Sequence, residues 1–363
     1  MKKIFLLTSI IALLMTGSVI FNSCSKSIDE QNMHYPMLNP TRVDANAGTW
    51  KPILLSAANE FACAAPIATT SPDYIIQLNE IKSFQNQVND DERKLVEYWG
   101  AGAVLRWNEI MRELVALHNL PPYQNPDGSY PFPSANNPLA YPTFPFANPP
   151  YAARAYAYLS AAQYDACVGA YFYKQQFNRP APFTVDATIQ TLLPKSTLPS
   201  YPSEDAAVLG ASVEILKLMF PGDQDYINLR AEEHKRARLI AGANVRSDLD
   251  AGEALGKLIA AKFVTRARGD RAGAAAGNAT LWAKLKSDCI ARGETPWISQ
   301  ETPERPPMLP AFGSVRAFLF DSLTMVTAIR PGPPPSTGSQ QFKDETEEIY
   351  QITKNLTREQ LRI

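Results

Sequence analysis

Histidine is nearly absent. The 363 residues hold three, His34, His118 and His234, so a metal centre built on clustered imidazoles is excluded by number alone. Cysteine is almost as scarce, at positions 24, 63, 167 and 289. Cys63, Cys167 and Cys289 are an odd, widely spaced set, which argues against a disulfide framework. Cys167 lies in a strongly apolar stretch and is expected to be a buried small hydrophobe. Charge of one sign is also missing: the formal net charge is −1, so no global field favours nucleic acid as a partner. Period-2 alternation is almost lacking, which leaves little room for sheet and implies an all-α chain. What is abundant is proline: the 30 prolines gather between residues 121 and 202 and between 296 and 335, as long connectors between helical stretches.

The N-terminus reads as an export signal, residues 1–23. Lys2 and Lys3 precede an apolar run from Ile4 to Leu14, and Phe21-Asn22-Ser23 lead to Cys24. The run is shorter than the ~20 residues a transmembrane helix needs. The end of this segment resembles a bacterial lipoprotein box, which implies lipid attachment at Cys24 and an exported lipoprotein of the cell envelope, held to the membrane by its anchor. Ordinary cleavage with an incidental cysteine is the alternative. The polar stretch that follows, to about Gly48, reads as a tether. Trp50 to Thr70 has no clear period and is expected to lie extended on the core, completing an N-terminal segment over 24–70.

Helical spacing then takes over, in a domain placed at 71–292. Asp73 to Asn86 is helical in pattern, and Asn89-Asp90-Asp91-Glu92 reads as a capping box opening the next helix. Ala103 to His118 continues it. Tyr151 to Lys174 is apolar on most sides, as a central helix is. Ser203 caps a helix to Met219, with Glu204 and Asp205 in its first turn. Gln224 to Ala243 reads as a polar-faced helix carrying His234. Asp248 to Arg268 shows an apolar stripe, with Gly252 and Gly256 on a neighbouring face that would permit close helix contact. Ala274 to Ala291 and a segment from about Gln341 read as further helices, the last within a Pro-rich connector region at 293–363.

The end of the chain echoes its beginning. Glu80 to Leu95 aligns without a gap over Glu348 to Ile363, an offset of 268 residues, with Glu and Ile identical and Val88/Leu356, Asp91/Glu359, Glu92/Gln360, Lys94/Arg362 and Leu95/Ile363 alike in kind. Each member follows a tryptophan and a proline-bearing stretch, Trp50 or Trp297. The expectation is an internal duplication in which 293–363 carries the start of a truncated second copy, and a second copy of the same domain is an expected partner.

Three stretches carry the chemistry: Lys174-Gln-Gln-Phe-Asn-Arg179-Pro180-Ala181-Pro182, Pro202-Ser203-Glu204-Asp205, and Ala237-Arg238 with Asn244 and Asp248. Their order and spacing resemble the type 2 phosphatidic acid phosphatase/vanadium haloperoxidase superfamily, whose motifs are Lys-x6-Arg-Pro, Pro-Ser-Gly-His and Ser-Arg-x5-His-x3-Asp. The resemblance covers residues from about 90 to 270. It implies a helical bundle of the acid phosphatase/vanadium haloperoxidase type, a phosphoric monoester hydrolase or haloperoxidase activity, a phosphate ester as ligand, and vanadate as the one cofactor the family would supply. By resemblance Lys174, Ser203, Glu204 and Arg238 fall at phosphate-binding positions, Asp205 at the general acid, Asn244 at the nucleophile, and Asp248 at the residue that orients it.

The departures weigh against catalysis. An Asn amide has no nucleophilic lone pair, so Asn244 cannot form the covalent intermediate an imidazole forms. Asp205, with a reference pKa of about 3.9, stands where a group near 6–7 works best. Glu204 and Asp205 fill the positive end of a helix that would otherwise welcome an anion. Ala181 removes a bidentate clamp, for which Arg179, two residues early, is a partial substitute. Plainer readings stand beside these: Ser203-Glu204-Asp205 as a helix cap, Arg238 and Asp248 as an internal ion pair, Lys174 facing solvent. Glu204, Asp205, Asp248 and Asp250 gathering a divalent cation, or His234 replacing the nucleophile, are further alternatives. The sequence thus points to a helical envelope protein of phosphatase type with weak or no activity, or to a non-catalytic domain that packs on a partner.

Overall fold

The computed structural model describes residues 35–118, 149–300 and 306–357, except Thr41, Leu319, Ser322 and Leu323. The export signal, Cys24, most of the Pro121–Pro150 connector and the final Leu361–Ile363 lie outside the described residues. Among the described residues there is no strand: the protein is all-α. None of its described helices is long and apolar enough to cross a membrane.

Nine helices longer than one turn are described: α1 (Pro72–Gln85), α2 (Asp90–Gly100), α3 (Ala103–Leu117), α4 (Pro149–Phe177), α5 (Glu204–Met219), α6 (Gln224–Ile240), α7 (Arg246–Arg268), α8 (Ala279–Ala291) and α9 (Gln340–Lys354). Their starts follow local chemistry. The Ser71 hydroxyl accepts from the Tyr74 amide, with Pro72 at the first helical position. Asn89 and Glu92 form the reciprocal capping box, at 2.9 and 3.2 Å. Ser203 caps α5 by accepting from the Ala206 amide at 3.2 Å. The helix expected from Ala274 begins only at Ala279, because Asn278 supplies the cap, accepting from Leu281 N at 3.0 Å.

The core is a three-helix stack of α4, α5 and α7, with α3, α2 and α6 closing one side. α4 buries Ala155, Leu159, Ala162, Ala166 and Ala170 along its length, as expected of a central helix, and Cys167 on it is partly buried against the same core. α5 and α7 pack almost backbone to backbone. A Cβ on Gly256 would sit 2.1 Å from the Ala207 carbonyl oxygen, and one on Gly252 2.2 Å from that of Ser203. The expectation for these two glycines holds, and its consequence is positional: the contact sets the start of α5 against the start of α7.

The N-terminal segment is fastened along its length, with Ala45 O, Lys51 O, Phe61 O and Ala64 O accepting from Gln175, Tyr164, Tyr173 and Tyr201. Leu38 N donates to Gly100 O at 2.8 Å, so contact with the body begins before Gly48. Further on, the buried Asp165 of α4 accepts three successive amides, Ile53, Leu54 and Leu55, at 2.7, 2.8 and 3.0 Å. Three donors to one carboxylate satisfy its lone pairs and justify its complete burial.

Candidate functional site

Five pieces of chain converge at one end of the stack: the C-terminal end of α4, residues 191–204, the first turn of α5, the end of α6, and the turn into α7. They line a cavity of about 320 Å³, which residues 38–40, 42 and 43 of the N-terminal segment also wall. Lys174, Glu204, Asp205, Arg238 and Asn244 all line it. Ser203 and Asp248 lie directly behind, fully buried. All the residues singled out by spacing, Cys24 apart, are therefore brought to one place.

The turn that presents Asn244 depends on Gly242, at φ +68°, where a Cβ would meet the Gln190 carbonyl oxygen at 2.6 Å. Asn244 is buried and fixed from three sides. Its Oδ1 accepts from Arg238 Nε at 3.0 Å and from the Ser203 hydroxyl at 3.3 Å, and its Nδ2 donates to Ser200 O at 3.1 Å. The side chain is a structural bracket tying three segments. Ser203 caps its own helix and donates to Asn244, so no base stands ready to activate it.

Each cation of the three motif stretches faces a carboxylate of the chain itself, while Arg42 and Lys195 also line the cavity, Lys195 lying over the Phe183 ring. Lys174, 2 % exposed, reaches Glu204 at 2.7 Å and donates to Pro199 O. It faces the pocket rather than solvent. Arg238 pairs with Asp205 at 3.0 Å. Arg179 pairs with Asp248, beside Ser247 Oγ at 3.2 Å, with the guanidinium over the rings of Tyr201 (4.4 Å) and Tyr74 (5.2 Å). The expected ion pair between Arg238 and Asp248 does not form. Asp248 lies in the first turn of α7, where its Oδ2 accepts from the Val245 amide at 2.8 Å and Oδ1 is turned toward Arg179 and Ser200 Oγ. Arg238 is left for Asp205.

Electrostatics at the two acids differ. Burial, the largest single influence, pushes Asp205 upward, but Arg238, His234 and Lys174 together outweigh it, and the carboxyl is held well below the usual range. A group so ionised is the reverse of a proton donor at neutral pH. At Asp248 burial dominates and raises the carboxyl, with Arg179 and the Val245 amide opposing.

His234 is not on a polar face. It is 1 % exposed and stacked on Trp99 at 4.1 Å between ring centroids, with Nδ1 accepting from Trp107 Nε1 at 3.2 Å. Burial pushes its imidazole down, against the pull of Asp205, which is 3.8 Å from Nε2. The Trp107 bond places the proton of the neutral ring on Nε2. The ring backs Asp205 from inside the core and does not line the cavity among its described residues, so it does not replace the nucleophile. Nor do the acids gather a cation: among the described residues no group of three or more His, Cys, Asp or Glu is placed to hold a metal, and Asp250 points outward.

Residue spacing did not disclose Ser200, which joins Asn244 to Asp248, nor Trp99 and the 191–199 loop as cavity walls. The one available signal was the adjacency of Ser200-Tyr201-Pro202 to the cap Ser203.

No protein-family model matches the chain, and no curated protein matches it in sequence. Solved structures similar to it include a bacterial vanadium-dependent iodoperoxidase, at 17% identity and TM-score 0.48 over 66% of this chain and 62% of that one. Others are a bacterial vanadium-dependent chloroperoxidase in holo and apo forms, both at 13% identity and TM-score 0.46, over 62% of this chain and 55% and 56% of theirs. The chain thus spans less than two thirds of the length of each.

Proposed function

We propose that this chain is a non-catalytic helical domain of the phosphatase/haloperoxidase type, carried at the cell envelope on a lipid at Cys24. The observation that carries the reading is the set of three internal ion pairs, Lys174–Glu204, Arg238–Asp205 and Arg179–Asp248. The cations that the motif resemblance assigns to phosphate oxygens each hold a carboxylate instead. Glu204 and Asp205 also occupy the amide end of α5, where an anion would otherwise be welcome. Asn244 supplies no lone pair for attack, and Asp205 supplies no proton. A phosphate ester or vanadate would have to displace two carboxylates to enter, and would then meet no nucleophile.

The test is direct. The purified protein should leave an aryl phosphate intact and should not halogenate when vanadate is added. Turnover of either kind that disappears on Lys174→Ala or Arg238→Ala would overturn the reading. For the anchor, Cys24→Ser should move the protein from the membrane to the soluble fraction; unchanged membrane association would remove lipidation from the proposal.

A further inference from the structure

α9 is the one described long helix that, besides α8, buries none of its residues. Its apolar side chains are turned to solvent: Phe342 is 37% exposed, Ile349 67% and Ile352 54%, with Leu356, just past its end, at 41%. The offset of 268 residues found between the chain's two ends explains their pattern. α1 starts at residue 72 behind Ser71, whose hydroxyl accepts from Tyr74 N. α9 starts at residue 340 behind Ser339, whose hydroxyl accepts from Phe342 N. The caps coincide under that offset, and the faces follow. Tyr74, Ile81 and Phe84, which α1 turns inward, stand opposite Phe342, Ile349 and Ile352. Ile75 and Ile76, which α1 leaves exposed, stand opposite Lys343 and Asp344. α9 thus carries apolar residues at three of the places where α1 is covered, with Thr346 opposite Leu78, and charge where α1 is open.

The groove beneath α1 says what would cover α9. Its floor is Ile189 and Val245, with Phe183 beside them. Its rim is the start of α7: Gln77 Oε1 accepts from the Ser247 amide at 2.8 Å, and Glu80 pairs with Arg246. The α9 residues at those two places are Glu345 and Glu348. Both complement a helix N-terminus that carries an arginine. The same charge that Arg246 meets in α1 is repeated in α9 without a partner helix.

We infer that α9 is a docking helix whose occupant is a second helical domain of this kind, seated by a branched apolar floor and an arginine-bearing helix start like those under α1. This rests on the geometry of α9 and not on the inactivity of the cavity. The α1 groove of an identical chain is already filled by α1, which buries Tyr74, Leu78 and Ile81 there.

The test transplants the helix. In the full chain, residues 71–88 are replaced by residues 339–356 and the product is melted by circular dichroism. The chimera is expected to unfold cooperatively. Within the transplanted helix Thr346→Leu, which restores the Leu78 position, should raise the melting temperature by a few degrees, whereas Ile349→Asp should lower it by roughly 10 °C or more. Lys343→Ile, on the outward face, should change little. A chimera that fails to fold, or one indifferent to Ile349→Asp, overturns the inference. Sedimentation of the unaltered chain supplies the second arm. A monomer is expected, and self-association abolished by Ile349→Asp would reassign the occupant to a second copy and overturn the assignment made here.

Discussion

If Lys174 and Arg238 are occupied by the cavity's own acids, neutralising those acids should make an anion site. Glu204→Gln with Asp205→Asn keeps the size of both side chains and removes two negative charges from the start of α5. Lys174 and Arg238, now 2.7 and 3.0 Å from carboxylate oxygens, are released. A unit charge about 4 Å away is worth roughly 1 kcal/mol in water and roughly 4 kcal/mol at the effective dielectric near a protein surface. The cavity is partly open, so an intermediate total of about 3 kcal/mol for removing both acids is a fair expectation. That corresponds to about a hundredfold gain in affinity for inorganic phosphate or vanadate. The unaltered protein should bind these anions weakly and the double variant tightly enough for titration calorimetry, with binding lost again on adding Lys174→Ala. The reasoning is refuted if a variant with an unchanged circular dichroism spectrum binds no better than its parent.

The buried Arg179–Asp248 pair should show the asymmetry of paired charges in a core. Asp248→Asn alone, or Arg179→Met alone, strands a buried charge and should cost about 3–5 kcal/mol in urea unfolding, while Arg179→Met with Asp248→Leu should cost less than either. Gly256→Ala should lower the melting temperature in spite of alanine's better helix propensity, because its methyl would meet the Ala207 carbonyl at 2.1 Å and backbone cannot move aside. The pH dependence has a defined source at Glu60, whose carboxyl Lys262 and the Ser56 amide hold down from 4.5 to about 2. A depressed acid contributes stability that is present above about pH 4.5 and lost as pH falls toward about 2. Lys262→Met should therefore flatten the urea midpoint against pH in that window; an unchanged slope would remove Glu60 as its source.

Where a residue's role depends on its immediate neighbours, the sequence shows it. Ser203, Asn89 and Glu92 declare caps because the partner amide is three residues away, and Gly252 and Gly256 declare a close approach because small residues one turn apart leave a flat face. His234 is harder: Glu232, Glu233, Lys235 and Arg236 surround it with charge, yet it shares a face with the buried Ile227 and Ala231. Burial there is decided by Trp99 and Trp107 from other helices. The ion-pair partners were illegible for the same reason. Arg238 and Asp248 are close in the chain, but the first-turn position of Asp248 turns it to Arg179, just past the end of α4, and the pairing is chosen by how the segments converge.

The Leu38–Gly100 bond and the Asp165 clasp have a mechanical consequence. The stretch that walls the cavity lies close behind Tyr35, the first described residue after Cys24. In an anchored protein, thirteen residues lie between the lipidated Cys24 and Leu38, so Leu38 sits within about 50 Å of the bilayer surface at full extension. A pull on the anchor would load the contacts of residues 35–45 first, among them Tyr35 with Arg106, Leu38 N with Gly100 O and Ala45 O with Gln175 Nε2, and peel residues 38–43 from the cavity. The buried Ala47 and Gly48, packed on α4 at Phe172, and then the three-amide clasp at Asp165 bear the load next. Tension would open the cavity before it disturbed the core.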